Sequence, residues 1–159
     1  MIKSSKTIVT EDRYSILQIS EQNFGVEVRN IREVLPLPKI TPLPNVHESI
    51  LGIFSLRGQI YSLLDLRLFF RLGRPPLTER NFVVVIEYDD ISFGLVVDKV
   101  LDVAYFDSTK ILIPTRDMSS QYIQYLSGYF EHKKMGLIHI LDFGEIIEAK
   151  EVRQYRYKE

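Results

Sequence analysis

Short apolar runs, broken by glycine, proline and charged pairs, recur along this chain, and their period is mostly that of strands. Ile50–Leu66, ILGIFSLRGQIYSLLDL, gives the clearest signal. Ile50, Leu51, Ile53, Phe54 and Leu56 lead into a polar break, Arg57-Gly58, and Ile60, Leu63 and Leu64 lead out. Glycine supplies the positive φ of a tight reversal. The stretch therefore predicts two buried strands joined by a turn that projects Arg57. Asp65 then suits the N-cap of a short helix with Leu66, Phe69 and Phe70 on its inner face, closed by Gly73.

Upstream, Tyr14–Ile19 has strand composition, and Phe24-Gly25-Val26-Glu27-Val28 alternates as a half-buried strand does, with Glu21-Gln22-Asn23 as the hairpin turn between them. Asn30–Glu33 and Asn45–Glu48 each carry the N-x-x-E pattern of a capped helical turn. Pro36, Pro38, Pro42 and Pro44 make 35–44 an extended loop. Arg74-Pro75-Pro76 ends the first half.

Downstream, Phe82–Tyr88 reads as a strand buried on both faces, Asp89-Asp90 as its turn, and Ile91–Val97 as the returning strand. Val100, Val103 and Tyr105 continue it, Ile111–Pro114 closes that section, and 115–121 is a polar loop. Tyr122–Phe130 and Leu137–Leu141 form a hairpin with 131–134 at its tip. Asp142 and Glu145 cap a short helix carrying Phe143, Ile146 and Ile147. Residues 1–12 and 151–159 are expected to be flexible termini.

The halves repeat. Phe24–Val28, with Ile31, Glu33 and Val34, resembles Phe93–Val97, with Val100, Asp102 and Val103, at an offset of 69. Leu51–Phe54 resembles Ser127–Phe130 at 76, and Ile60–Asp65 resembles Leu137–Asp142 at 77. The order is kept and the offset grows only by loop insertions. The expectation is a mainly β fold: two similar small five-stranded β-barrels with short helices, packed on a shared apolar seam. They would form one domain, 13–150, of two subdomains at about 13–73 and 82–150.

Composition narrows the function. A net charge of −1 argues against affinity won by neutralising phosphates. The absence of cysteine removes disulfides, thiolate metal sites and cysteine nucleophiles. No apolar run is long enough to span a bilayer, and the N-terminal residues lack a signal-peptide apolar core, so a cytoplasmic protein is expected. His47, His132 and His139 are scattered without metal-ligand spacing. No G-x-S-x-G elbow, P-loop or G-x-G-x-x-G is present. Arg153, Arg156 and Lys158, interleaved with Tyr155 and Tyr157, read as a charged tail diluted by Glu148, Glu151 and Glu159.

These residues resemble the CheW-like domains, the coupling modules of bacterial chemosensory arrays. The resemblance rests on Leu51-Gly52-Ile53-Phe54-Ser55-Leu56-Arg57-Gly58, then Ile60 and Leu64-Asp65-Leu66, on Gly94–Val100, and on Ile31, Glu33, Val34, Ile40, Pro42, Leu43 and Pro44. Phe54-Ser55 and Tyr61-Ser62 depart from the family pattern. The resemblance implies two interlocked five-stranded barrels of Src-homology-3 type (the CheW-like fold). It implies a non-enzymatic chemotaxis adaptor, without cofactor or metal, at membrane-attached receptor arrays but not inserted in the membrane. One surface would grip the cytoplasmic tip of a methyl-accepting chemoreceptor, another the regulatory domain of the histidine kinase CheA. An adaptor for type IV pilus twitching motility is an alternative in the same fold; a nucleic-acid-binding barrel and a hydrolase are rivals of other classes.

Arg57 is the first candidate contact, because a guanidinium at a turn presents a rigid fork to a carboxylate or carbonyl. Its plainer reading is a solvated turn arginine or one tied to a nearby carboxylate. Glu33 is either part of the same surface or the capping partner of Asn30. Ile31 and Leu56 would add apolar contact, or simply core. Gly52 would allow close backbone approach, or mark a bend within its strand. Asp65, Asp98 and Asp142 read as caps or turn residues.

Overall fold

The computed structural model describes residues 11–114 and 122–153. Ten strands form two five-stranded sheets. They are β1 (Glu11–Ile19), β2 (Gln22–Glu27), β3 (Ile31–Pro36), β4 (Ile50–Leu56), β5 (Gln59–Leu64), β6 (Phe82–Tyr88), β7 (Ile91–Val97), β8 (Lys99–Asp107), β9 (Leu126–His132) and β10 (Gly136–Leu141). The helices are short: α1 (Leu66–Phe69) after β5, then α2 (Phe143–Glu148) and α3 (Lys150–Arg153) after β10.

The first sheet runs β8-β1-β2-β10-β9 and the second β3-β6-β7-β5-β4. The sequence repeat is therefore real in space, but the repeats exchange strands. β1 and β2 of the first repeat join β8, β9 and β10 of the second, while β6 and β7 join β3, β4 and β5. The segments 13–73 and 82–150 are thus sequence repeats and do not coincide with the two sheets. A physical cause is visible at Asp98, the single residue between β7 and β8. A strand needs at least a short loop to fold back on itself, so here the chain runs on into the other sheet. The exchange leaves two parallel junctions in matching register: Leu63 with Gly94, and Ile140 with Gly25.

The sheets are not closed barrels. Each curls until the chain beyond one edge strand makes a single bridge to the other edge. Thr41, beyond β3, bridges Ile53 of β4, and Leu112, beyond β8, bridges Tyr129 of β9. Glycine permits the first closure. A Cβ on Gly52, whose φ is +145°, would lie 2.2 Å from the Thr41 carbonyl oxygen.

Three apolar clusters hold this together. Tyr14, Ile16, Phe130, Ile138 and Ile140 fill the first sheet. Phe54, Tyr61, Leu63, Val83, Val85 and Val96 fill the second. A larger cluster between them includes Leu17, Phe24, Leu64, Phe70, Val84, Ile86, Leu95, Phe143 and Ile146. β6 serves two clusters, Val83 and Val85 on one face and Val84 and Ile86 on the other, which is why its sequence is a continuous apolar run. Each such fully buried side chain contributes about 1.5–3 kcal/mol by removal from water.

Several local expectations differ from the structure. The capped turn expected over Asn30–Glu33 is displaced: a single 3-10 turn covers Val28–Asn30, and Ile31–Glu33 starts β3, paired to β6 through Ile31 with Ile86 and Glu33 with Val85. An isolated helical turn is costly to nucleate, and the ladder offers more hydrogen bonds. Asn45–Glu48 forms turns, with Asn45 at φ 55°. The first hairpin reverses at Ser20-Glu21, φ 49° and 64°, one step before Glu21-Gln22-Asn23. Helix α1 ends before Gly73, with Arg71 at φ 59°. At the termini, Glu11 and Asp12 belong to β1, and residues 151–153 lie in α3, where Val152 is buried in the central cluster. The expectations for 1–10, 115–121 and 154–159 lie outside the described residues.

Candidate interaction surface

The β4–β5 hairpin turns on two residues, Arg57 and Gly58, with φ of 50° and 82°. Positive φ at both positions matches the right-handed twist of the strands it joins. Glycine takes that conformation freely; an L-residue does so at a cost. The strained position holds the arginine, whose guanidinium stands out from the sheet.

One Nη of Arg57 hydrogen-bonds and ion-pairs with Oε1 of Glu33 on β3. β3 and β4 are the two edge strands of the second sheet, so the pair ties its edges across the opening. The Arg57 side chain is 73% exposed and the Glu33 side chain 24%. The carboxylate is thus anchored on the strand while the guanidinium faces solvent with donors to spare. The hydrogen bond from Arg57 to Glu33, and then the charge of Glu33, raise the arginine pKa above its ordinary value. An exposed pair of this kind contributes little stability; what it does is hold the fork in one orientation.

The other candidate residues sit at different depths. Leu56 precedes the turn, half-buried against the second-sheet cluster. Ile31 is half-buried against the central cluster, near Glu33 on β3. Gly52 is buried, and the space beside its Cα belongs to the Thr41 and Pro42 backbone. It serves the surface from beneath, by letting that connection lie across β4. Arg57 and Glu33 therefore touch, Leu56 and Ile31 adjoin them only along the chain and pack into different clusters, and Gly52 does not reach the surface.

Exposed apolar side chains extend the picture. Val34 on β3, Ile60 on β5 and Phe82 on β6 are exposed on the second sheet. β8, an edge strand of the first sheet, exposes Val100, Leu101, Val103 and Tyr105. An edge strand with exposed apolar side chains is a ready docking site for another protein.

A buried polar cluster lies beneath the start of α1. Arg67, on α1, is 2% exposed. It grips Asp65 in bidentate fashion, Nε to Oδ1 at 3.0 Å and Nη2 to Oδ2 at 2.9 Å. Its Nη1 reaches Asp98 at 3.4 Å. Asn81 also donates to Asp98, at 3.1 Å, and the Ser20 backbone donates to Asp98 Oδ2 at 2.7 Å. Burial works against the charge of Arg67, but its hydrogen bond to Asp65 and the charges of Asp65 and Asp98 more than offset this, and its pKa is raised. The cluster locks the turn of the first sheet to the helix of the second. An arginine beside a capping aspartate carries no sequence signal that separates this role from a solvated one.

The histidines have local work. His47 Nδ1 meets Ser49 Oγ at 2.8 Å. His132 Nδ1 accepts from the Lys134 and Met135 backbone at the β9–β10 tip. His139 lies among Phe24, Tyr122 and Tyr129, and burial lowers its pKa. Among the described residues, no group of three His, Cys, Asp or Glu could hold a metal ion.

The family model described as the CheW-like domain matches residues 13–151. A probable chemotaxis protein CheW of Rhizobium etli is 31% identical over 118 residues, covering 72% of this chain and 74% of that protein. A chemotaxis protein CheW of Treponema pallidum is 20% identical over 152 residues, 92% of this chain and 89% of that protein. The crystal structure of a scaffolding protein, TtCheW from Thermoanaerobacter tengcongensis, superposes with a TM-score of 0.80 at 23% identity, covering 89% of this chain and 91% of that one.

Proposed function

This chain belongs to the CheW-like domain family, and from that premise we propose that it is a non-enzymatic adaptor coupling methyl-accepting chemoreceptors to the histidine kinase CheA in chemotaxis. The observation that carries this reading is the exposed guanidinium of Arg57, set by Glu33 at the open side of the second sheet. Such a fork suits a carboxylate or carbonyl on a helical receptor tip. The exposed apolar edge at β8 suits a second protein, the kinase regulatory domain. Arg57, Glu33, Ile31 and Leu56 form or border the contact surface, with Gly52 supporting it from below. Binding both partners would shift the kinase between its active and inactive populations. No helix among the described residues is long and apolar enough to cross a membrane. The adaptor is taken to work in the cytoplasm, held at the membrane through the receptors it binds.

The test is a reconstituted array of receptor, kinase and this chain. Arg57→Ala should fold normally, keep the kinase bound, and weaken receptor control of kinase activity by about tenfold, the loss of one charge-assisted contact. Receptor control at the unsubstituted level would remove the reading.

A further inference from the structure

The chain passes between the two sheets twice, and the two crossings are built differently. At the first, Val28–Asn30 forms a single 3-10 turn with no side-chain cap. The side-chain bond there, among the described residues, joins Arg29 to Glu27, 2.9 Å apart on the same stretch of chain. A cleft of about 500 Å³ opens beside the turn, lined by Glu27, Arg29 and Asn30 with Tyr88 of the second sheet.

The second crossing is Asp98 alone, and it is held from both sides. Its N–H donates to the Gln18 carbonyl at 2.9 Å, and the Ser20 N–H donates to its Oδ2 at 2.7 Å. Both partners belong to β1 and the turn after it, in the first sheet. Its Oδ1 accepts from Asn81 at 3.1 Å and from Arg67 Nη1 at 3.4 Å. These two are buried and flank strands of the second sheet, Asn81 ahead of β6 and Arg67 after β5. Arg67 is itself fixed by its bidentate contact with Asp65, and Asn81 by the Val97 carbonyl at 3.2 Å. Two bonds from each sheet therefore meet on one residue.

The apolar cluster between the sheets holds them together, but such contacts have no direction. Hydrogen bonds and a bidentate ion pair do. A buried ionic group adds little net stability over an apolar one of the same size, and its best-attested use is to select one arrangement among several. We infer that the Asp98 clamp sets the angle between the two sheets, with Arg67 and Asn81 as its positioning residues. The functional consequence rests on the adaptor reading. Arg57 stands on the second sheet, and the β8 edge, which begins at the clamp, on the first. A fixed angle holds receptor and kinase in one mutual orientation; a loose one lets each bind while that orientation is lost.

The chain has no cysteine, so Ser55→Cys on β4 and Glu131→Cys on β9, both exposed, take a pair of spin labels in the full chain. Double electron–electron resonance then reads the distance between the sheets, and this background gives one narrow distribution. Asp98→Asn offers one acceptor oxygen where there were two, while Arg67 keeps Asp65, and should widen the distribution roughly twofold. Arg67→Lys, whose single ammonium cannot span two carboxylates, should widen it too, and carries the test if Asp98→Asn does not fold. Glu27→Gln at the other crossing should leave the width unchanged. In the reconstituted array Asp98→Asn should bind receptor and kinase singly as the unsubstituted chain does, and lose receptor control about fivefold. Three results would overturn the inference: a folded Asp98→Asn as narrow as the background, equal widening by Glu27→Gln, or full receptor control in a variant whose distribution has widened. Failure of the unsubstituted chain to couple receptor to kinase would strike the adaptor reading instead, and the distance measurement would still decide the clamp.

Discussion

At the end of β5 the chain closes on a buried arginine; at the equivalent end of β10 it closes on a glycine. Around these ends the two sheets share one bonding plan: the same strand order, the same parallel register and the same edge bridge. The differences lie in what is mounted on the plan. The second sheet has Arg57 tied to Glu33 across its edges. The corresponding tip of the first sheet carries Lys133 and Lys134, and the counterpart of Glu33 is Asp102, which accepts from the neighbouring Val103 backbone instead. Shared features therefore report what the fold requires. Unshared ones, Arg57 with Glu33 above all, are what the fold does not require, and they are where the proposed contact surface lies.

The largest expected difference concerns the two capping ends. Arg67→Met leaves the Asp65 carboxylate buried without its partner and should cost about 3–5 kcal/mol. Asp142→Ala, at the equivalent helix, removes an N-cap and should cost about 1 kcal/mol. Urea unfolding of both variants checks this; equal losses would mean that the buried arginine is no more than a cap.

Next come the two glycines beneath the edge bridges. Gly52→Ala combines a positive φ with a backbone obstruction and should cost roughly 2–4 kcal/mol. At Gly128 the added Cβ would meet the Ile111 side chain at 2.3 Å and the Leu112 carbonyl oxygen at 2.9 Å, without the positive φ and the three backbone atoms closer than 3.0 Å that burden Gly52. Gly128→Ala should therefore raise less resistance, and thermal melts that rank the pair in the opposite order would break the comparison.

A smaller effect separates the sheets by pH. His139 on β10 stands where β5 has Ser62, and burial lowers its pKa in the folded state. The unfolded chain then binds the proton at a higher pH than the folded one. The stability linked to His139 is full above about pH 6.5 and is lost as pH falls toward the folded value. Tm should drop between pH 7.5 and 5.5, and His139→Gln should flatten part of that drop. A pH response identical in the variant would assign the titration elsewhere.

Much of this architecture was legible because its signals are local. Arg57-Gly58 between two apolar runs specifies a hairpin, and Asp before an apolar helical start specifies a cap, so both were found with the right residues. The exchange of strands was not legible. An offset of 69 to 77 says which strands correspond, whereas pairing depends on partners distant in sequence: the chain crosses between the sheets at Asp98, too short to turn back, and also at Val28–Asn30, which is not. At Asn30–Glu33 the capping pattern is outweighed by a ladder to β6, a partner distant in sequence, and the helical turn shrinks back to Val28–Asn30. Gly52 reads as a point of close approach or as a bend, because a missing side chain looks the same whether a partner's backbone or the chain's own Thr41 lies against it. Arg67 escaped because burial of a charge depends on carboxylates brought together only by the fold.

The central claim is that the guanidinium at position 57 meets another protein and is not simply a brace for Glu33. A charge exchange separates these. Arg57→Glu and Glu33→Arg, made singly and together, can be compared in the reconstituted receptor–kinase array. The account predicts that the double variant, although it can reform an ion pair, stays uncoupled like Arg57→Glu, because the partner still meets a changed surface. Recovery of full receptor control in the double variant would show that the pair acts only inside the chain and would contradict the account.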